Sequence, residues 1–214
     1  MERSAYQPRL GSWHEAPQAQ PLIGPNAVIQ TLAALQVLVG EECRQTVARS
    51  AGLPDSEPGE MIPEASFVGL VAAVRDELGH ERAAEVLSLS GKKTADYVAG
   101  NRIPGVFRGL LRLLPSRIAM PLLLGAFRRH AWTFSGRSDF LVSGDYPGSI
   151  LLTDAPTCRN TGAGARTGGY YEAAFQGLLS LASPNVAVTE IECRSLGDSH
   201  CRFRISPNTR QSRG

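Results

Sequence analysis

The chain has 214 residues, of which 43% are hydrophobic and 20% are charged, and its formal net charge is +2. This composition is ordinary for a soluble globular protein of one domain, and so small a charge gives no overall attraction to nucleic acid. Four cysteines in a chain of this length do not make a disulfide framework, so we expect reduced thiols and a cytoplasmic protein.

The chain is expected to form one domain between two disordered ends. Residues 1–21 are rich in Pro, Gln and Ala and lack an apolar h-region, which predicts a disordered leader rather than a signal peptide. We predict a single ligand-binding domain over residues 22–206, mainly helical in 22–135 and mainly sheet in 136–206. The polar residues 207–214 are expected to form a disordered tail.

Apolar residues recur at helical spacing through the first half of the domain. The pattern predicts helices over Pro25–Arg49, Ala65–Leu78 and Glu81–Ala99, with Gly79 as the stop of the second. No run of about 18 or more uninterrupted apolar residues occurs, so no membrane-spanning helix is expected.

The segment Arg102–His130 is strongly apolar and contains Pro115 and Pro121, which predict a break into short helices. Every charged residue between Asp96 and Asp139 is an arginine. One interpretation is a core-facing helix pair whose arginines extend to water. The other is a basic, apolar surface for an anionic amphiphile, a membrane face or an acidic partner. Nucleic acid is not expected, because no nucleic-acid-binding motif is present.

The pattern then changes to strands and turns. We predict strands over 131–136, 139–144 and 149–154, a helix over Tyr170–Ala182, and a final hairpin over Val186–Ile205. The fold class is therefore α+β: N-terminal helices, then an antiparallel sheet with one long helix before its last hairpin.

The final hairpin is expected to bring two cysteines together. Its strands flank a turn at residues 196–199, and apolar residues alternate with arginines from Cys201 to Ile205. In the first strand Ile191 and Cys193 are expected to share a face. Closing the hairpin would place Cys193 near Cys201 on the same side of the sheet.

Two stretches, GGYYEAAFQGLLS and VAVTEIECRSLGDSHCRFRI, resemble the closing motif of the 4-vinyl-reductase domain family. The motif is a Gly-Tyr helix, a strand with Glu and Cys, a Gly-containing turn, and a second Cys followed by an aromatic residue. The match covers Cys158–Ile205. With LLRLLP and HAWTFSG, residues 64–205 are similar to the family member of bacteriochlorophyll biosynthesis. The resemblance implies the small-molecule-binding fold of nitric-oxide-sensing and Golgi-transport proteins.

That family member is named as a reductase of a vinyl group on divinyl chlorophyllide or protochlorophyllide. The sequence has no nucleotide fingerprint and no flavin or iron–sulfur ligand set. The resemblance therefore implies a tetrapyrrole-binding protein that carries or presents a magnesium porphyrin or protochlorophyllide intermediate to bacteriochlorophyll-biosynthesis enzymes. The alternatives are a vinyl reductase, and an assembly factor that docks through the arginine-rich face on a partner or, peripherally, on a membrane. Relatives of this fold often pair, which implies a homodimer.

The candidate tetrapyrrole ligands lie around the arginine-rich segment. His130 is the candidate axial ligand of the magnesium, with a purely structural histidine as the alternative. Aromatic side chains would line a pocket for the flat ring, or belong to the core. Arginines would pair with the propionates. The aromatic and basic candidates are Phe127, Trp132, Phe134, Arg108, Arg112, Arg117, Arg128 and Arg129.

The cysteines suggest a metal site. Phenol-sensing regulators carry a related domain that holds zinc with Cys, Glu, Cys and Cys, and the resemblance assigns these roles to Cys158, Glu190, Cys193 and Cys201. Such a site would be closed, four-coordinate and structural. Glu192 and His200 are alternative ligands. Buried thiols on facing strands, or a disulfide, remain the other interpretations. Cys43 stands alone on a predicted helix and is expected only to pack.

Overall fold

The computed structural model describes residues 20–54, 58, 60–143, 146–159, 164, 166–167 and 169–208. Apart from Gln20 and Pro21, the predicted leader lies outside the described residues, as do residues 209–214 of the predicted tail. Within the described residues, no helix combines the length and the apolar character needed to cross a membrane.

The first part of the domain is helical. A short strand pair ties its beginning to the long third helix, with Leu22 opposite Pro63 and Ile23 opposite Ile62. The elements are β1 Leu22–Ile23, α1 Asn26–Val39, α2 Glu41–Ser50, β2 Ile62–Pro63, α3 Glu64–Asn101, α4 Gly105–Leu113, α5 Ser116–His130 and α6 Trp132–Ser135.

The second part is a four-stranded antiparallel sheet in the order β3-β4-β6-β5, with one helix inserted before the last hairpin. Its elements are β3 Phe140–Ser143, β4 Gly148–Leu152, α7 Gly169–Leu179, β5 Val186–Glu192 and β6 Cys201–Pro207, with 3-10 turns at Pro156–Cys158 and Arg194–Leu196. This layout confirms the predicted α+β fold class.

Glycine and proline divide the helices differently from the prediction. The helix expected over Pro25–Arg49 is broken at Gly40, whose φ of 89° is a left-handed conformation that glycine adopts readily. Gly79 interrupts α3 with a φ of 71°, at the predicted stop. Pro121 lies inside α5 and does not end it. Because Pro121 removes a single backbone hydrogen bond, the buried residues on either side of it hold the helix together.

The strand expected over residues 131–136 is wrong, because Trp132–Ser135 is a helical turn. Ala131 has helical dihedral angles, and its carbonyl accepts hydrogen bonds from the backbone N–H groups of Phe134 and Ser135 at 2.9 and 2.8 Å. The alternation of aromatic and polar residues reflects one helical turn, with Phe134 packing at ring-centroid distances of 5.4 Å from Phe140 and 6.1 Å from Phe175.

The core lies between α3, α7 and one face of the sheet. α3 and α7 approach so closely that a methyl group at Gly91 would lie 2.1 Å from the carbonyl oxygen of Tyr170. An aromatic cluster fills the space below, with ring centroids of Phe175 and Phe203 5.4 Å apart and those of Phe67 and Tyr170 5.2 Å apart. This packing fixes where the loops around the sheet converge.

Candidate functional site

Three thiols converge at one end of the sheet. The Sγ atoms of Cys158, Cys193 and Cys201 all lie within 4.8 Å of one another. The Sγ of Cys158 is 3.2 Å from that of Cys201 and 4.0 Å from that of Cys193. All three cysteines are free, and a separation of 3.2 Å is far longer than a disulfide bond of about 2.05 Å.

Each thiol comes from a different structural element. Cys158 ends the 3-10 turn that follows β4, and Cys201 begins β6, paired with Leu152 of β4. Cys193 follows β5 beyond an irregularity between Glu190 and Glu192 that shifts the strand register.

That irregularity also corrects a prediction for the first strand of the hairpin. Glu190 and Cys193 are both buried, whereas Ile191 is half-buried. Ile191 therefore does not share the face of Cys193.

Hydroxyl groups and backbone complete the surroundings of the thiols. The Thr167 hydroxyl lies 2.7 Å from the Sγ of Cys158, and the Ser195 hydroxyl lies 3.0 Å from the Sγ of Cys193. The backbone N–H of Cys193 donates to the Asp198 carboxylate at 2.7 Å. These contacts fix the turn between β5 and β6 around the cluster.

Close thiols do not ionise independently. Hydrogen bonds from the Cys158 and Cys201 thiols lower the pKa of Cys193 well below its ordinary value, because they stabilise its thiolate. The hydrogen bond with Cys193 raises the pKa of Cys158 to about 11. The pKa of Cys201 is also raised, first by its hydrogen bond with Cys158. The cluster thus favours one negative charge shared by three sulfurs.

The spacing of the sulfurs suits a soft metal ion. Thiolates about 2.3 Å from a tetrahedral zinc ion lie about 3.8 Å from one another. The observed separations of 3.2 and 4.0 Å bracket that value. Cys193 and Cys201 are fully buried and Cys158 is half-buried, which excludes bulk water from most of the centre.

The carboxylate that the resemblance pairs with the thiols lies apart from them. Glu190 is buried, but it is not part of the group of atoms within 4.8 Å. It lines a neighbouring cavity of about 230 Å³ together with Arg75, His80, Arg166 and Glu172. Its backbone N–H donates to the Glu172 carboxylate at 2.7 Å.

The alternative ligands also lie elsewhere. His200 Nε2 is 2.7 Å from a carboxylate oxygen of Glu192, and Arg202 Nε donates to the same oxygen at 2.9 Å. Neither Glu192 nor His200 belongs to the thiol group. They form a separate ion-pair group beside the hairpin.

A charged cleft of about 720 Å³ opens beside Cys158. Within it Arg159 pairs with the buried Glu64 and, at 2.9 Å, with Asp154. Arg137 and Arg194 also contact the Asp154 carboxylate. Sequence reasoning missed this network, because Glu64 and Arg159 are 95 positions apart and no local pattern links them.

The residues predicted to bind a tetrapyrrole divide into two groups. Phe127 is buried, and Phe134 is half-buried among the aromatic rings of the core. His130 is exposed, and Trp132 is 58% exposed, so both lie on the outer side of the α5–α6 junction. The candidate arginines lie mostly outside, with Arg108 half-buried and the rest exposed, namely Arg112, Arg117, Arg128 and Arg129. In the described part of the chain none of these five forms a salt bridge.

Comparison with known proteins places the chain in a family. Residues 150–207 match the 4-vinyl-reductase domain. The chain is 37% identical over 201 residues to the bacteriochlorophyll synthase 23 kDa chain of Rhodobacter capsulatus, covering 92% of this chain and 93% of that protein. The chain belongs to the family of bacteriochlorophyll synthase 23 kDa chains. The protein of the same name from Cereibacter sphaeroides is 33% identical over 190 residues, covering 88% of this chain and 92% of that protein.

The family assignment confirms the resemblance to 4-vinyl-reductase domains. All three clustered thiols lie within the matched domain, whereas α4, α5 and α6 precede it. In this 23 kDa-chain family member the candidate metal centre and the exposed arginines therefore lie in different parts of the chain.

Solved structures show the fold. An H-NOX protein mutant from K. algicida aligns with a TM-score of 0.57 and 11% sequence identity, covering 88% of this chain and 98% of that one. The H-NOX protein of K. algicida itself aligns with a TM-score of 0.53 and 10% identity, covering 87% and 97% of the two chains. The predicted likeness to nitric-oxide-sensing domains is thereby confirmed for the fold.

Proposed function

We propose that this chain acts in bacteriochlorophyll biosynthesis as a tetrapyrrole-binding protein that presents a magnesium porphyrin or protochlorophyllide intermediate to the pathway enzymes. The observation that carries the proposal is its identity of 37% and 33% to two bacteriochlorophyll synthase 23 kDa chains over most of its length. Those names describe a subunit of a synthase, which favours other enzymes of the pathway as partners.

The α5–α6 junction supplies the chemistry that such a ligand needs. A tetrapyrrole offers a flat apolar face, a magnesium ion and anionic propionates. Trp132 presents an exposed aromatic face, and His130 presents an imidazole two positions earlier. Arg128 and Arg129 are exposed beside them and can pair with carboxylates.

The core supports this surface from below. Phe127 and Phe134 hold α5 and α6 against Phe175, at ring-centroid distances of 6.4 and 6.1 Å. They position the junction and do not line a pocket. The charged cleft beside Cys158 is a poorer place for the ring, because its ion-paired side chains would lose water against an apolar face. An open surface also suits presentation, since the ligand stays accessible to a second protein.

Absorbance titration with magnesium protoporphyrin and divinyl protochlorophyllide tests the proposal. We expect a spectral shift at micromolar protein. In a Trp13→Phe variant, Trp132 is the remaining tryptophan and its fluorescence should be quenched by the ring. Arg128→Gln/Arg129→Gln should weaken binding at least tenfold, and His130→Ala should alter the spectrum of the bound pigment.

Arg49→Gln/Arg204→Gln is the matched control, because it removes two exposed arginines from α2 and β6. An unchanged spectrum together with no co-purifying pigment would overturn the proposal. Loss of the vinyl group on addition of NADPH or reduced ferredoxin would assign the reductase activity instead.

We also propose that the thiol cluster binds zinc as a structural ion. Three Sγ atoms within 4.8 Å, the burial of two of them and the favoured thiolate at Cys193 support this. Bound zinc would neutralise thiolate charge and cross-link the elements that carry the cysteines. Cys158, Cys193 and Cys201 would then tie the turn after β4 to both strands of the last hairpin.

A further inference from the structure

Helices α4 and α5 carry apolar side chains that the core does not use. We define the α4–α5 surface by its exposed apolar residues, which are Val106 (88% exposed), Leu110 (45%), Leu113 (85%), Ile118 (51%) and Leu122 (47%). The fold gains nothing from exposing them, since each contacts water where a polar residue would serve. Clustered exposure of this kind marks an interaction surface.

The spacing shows that the exposed residues form stripes. Val106, Leu110 and Leu113 lie at positions i, i+4 and i+7, which share one face of α4. Leu111, on the opposite face, is fully buried. In α5, Ile118 and Leu122 are likewise four residues apart. Each helix therefore has one apolar face toward the core and a second toward the outside.

Positive charge accompanies these stripes without compensation. Arg112, Arg117, Arg128 and Arg129 are exposed on the same two helices. No acidic residue occurs between Asp96 and Asp139, although the whole chain has a net charge of only +2. A second copy of this surface would bring arginines against arginines, so charge opposes self-association here. The complementary surface is anionic.

The shape of the surface favours lipid over a folded acidic partner. The most exposed residues, Val106 and Leu113, project outward, whereas a protein partner would need matching pockets. The acyl boundary of a bilayer accepts projecting apolar side chains of any shape. Arginine stems can lie along that boundary while their guanidinium groups reach lipid phosphates.

We propose that the α4–α5 surface binds an anionic membrane, with both helices lying at the boundary between headgroups and acyl chains. Valine and leucine side chains enter the boundary, and the arginines pair with anionic headgroups. The proposal goes beyond tetrapyrrole binding and does not depend on it. It makes the protein a peripheral one that meets hydrophobic ligands at the lipid surface.

Vesicle co-sedimentation without pigment tests the proposal. The full chain should bind vesicles of phosphatidylglycerol and phosphatidylcholine, bind pure phosphatidylcholine at least tenfold more weakly, and be released by salt. Val106→Ser/Leu113→Ser should weaken binding to anionic vesicles at least tenfold, because these side chains supply the inserted apolar area. Arg112→Gln/Arg117→Gln should abolish most of the preference for anionic lipid.

Two double variants serve as matched controls. Val37→Ser/Leu141→Ser removes apolar residues that are 65% and 51% exposed on α1 and β3, and Arg49→Gln/Arg204→Gln removes two distant arginines. Both should bind vesicles like the parent chain. Unchanged vesicle binding by Val106→Ser/Leu113→Ser would overturn the proposal. So would a homodimer in sedimentation that this variant dissociates, since the surface would then belong to a second copy. Pigment binding measured without vesicles tests the proposed function separately.

Discussion

At the scale of single residues, a buried ion pair joins distant parts of the chain. The Glu64 side chain is 4% exposed and that of Arg159 is 11% exposed, and the two form a salt bridge. The backbone N–H of Arg137 donates to the same carboxylate at 3.0 Å. The first residue of α3 is thereby held against the loop after α6 and the turn after β4. Removing one partner would leave a buried charge uncompensated.

Glu64→Ala should therefore lower the free energy of unfolding by about 3–5 kcal/mol. Glu85→Ala removes the acid of the Arg82–Glu85 pair, whose side chains are 55% and 58% exposed, and should cost less than about 1 kcal/mol. Urea denaturation of both variants measures the difference. Equal effects would show that the Glu64–Arg159 pair has no special role in stability.

The thiol cluster gives a second prediction for single residues. Cys193→Ser or Cys201→Ser should lower the zinc content of the purified protein and its melting temperature, because each removes a buried ligand. Cys43→Ser changes a cysteine on α2 outside the cluster and should leave the zinc content unchanged. Elemental analysis and thermal melts with and without chelator measure both. A parent protein free of zinc, with a melting temperature insensitive to chelator, would refute zinc binding.

At the scale of elements, the contact between α3 and α7 organises the domain. Gly91 of α3 lies against the backbone of Tyr170, and a methyl group at Gly177 of α7 would lie 2.6 Å from the Cβ of Ala95. Each helix therefore contributes a glycine where the other approaches most closely. Without these glycines the helices would have to separate, which would disturb the aromatic cluster beneath them.

Gly91→Ala should destabilise the protein by about 1–3 kcal/mol, since its methyl group would meet a carbonyl oxygen that cannot move alone. Gly100→Ala is the matched control in the same helix, because nothing lies within 4 Å of its added methyl group. That change should be neutral or stabilising by up to about 1 kcal/mol. Denaturant unfolding compares the variants, and a stable Gly91→Ala protein would contradict the packing described.

At the scale of the whole molecule, one aromatic core joins the helices to the sheet. Tyr170 and Tyr171 lie inside it, with ring centroids 5.1 Å apart, and the Tyr170 hydroxyl donates to Thr94 at 3.3 Å. Burial raises the pKa of Tyr170 to about 12, because an ionised phenol would lose its solvation. The integrity of this core is therefore linked to alkaline pH.

The unfolding free energy should fall as pH rises from about 10 to about 12. In this range the unfolded chain loses the Tyr170 proton while the folded chain keeps it, so the unfolded state is favoured. The contribution of Tyr170 reaches about 3 kcal/mol at about 1.4 kcal/mol for each pKa unit. Urea titrations at several pH values measure the slope, and Tyr170→Phe should reduce it. Identical slopes for the two proteins would contradict the assignment to Tyr170.

The sequence by itself determined the α+β layout, the long helices, the final hairpin and the proximity of Cys193 to Cys201. These features follow from periodicity and turn residues within short segments, where local geometry decides the outcome. Residues 131–136 show the limit of such patterns, because one helical turn and a short strand both alternate aromatic and polar residues.

The tertiary structure alone decided what distant segments do together. It brought Cys158 to the hairpin cysteines, paired Glu64 with Arg159, and left Glu190 facing a separate cavity after the shift in β5. It also showed that Val106 and Leu113 point to solvent while Phe127 joins the core. Apolar composition states that a residue favours burial, but only the packing of α3, α5 and α7 determines which apolar residues find room inside.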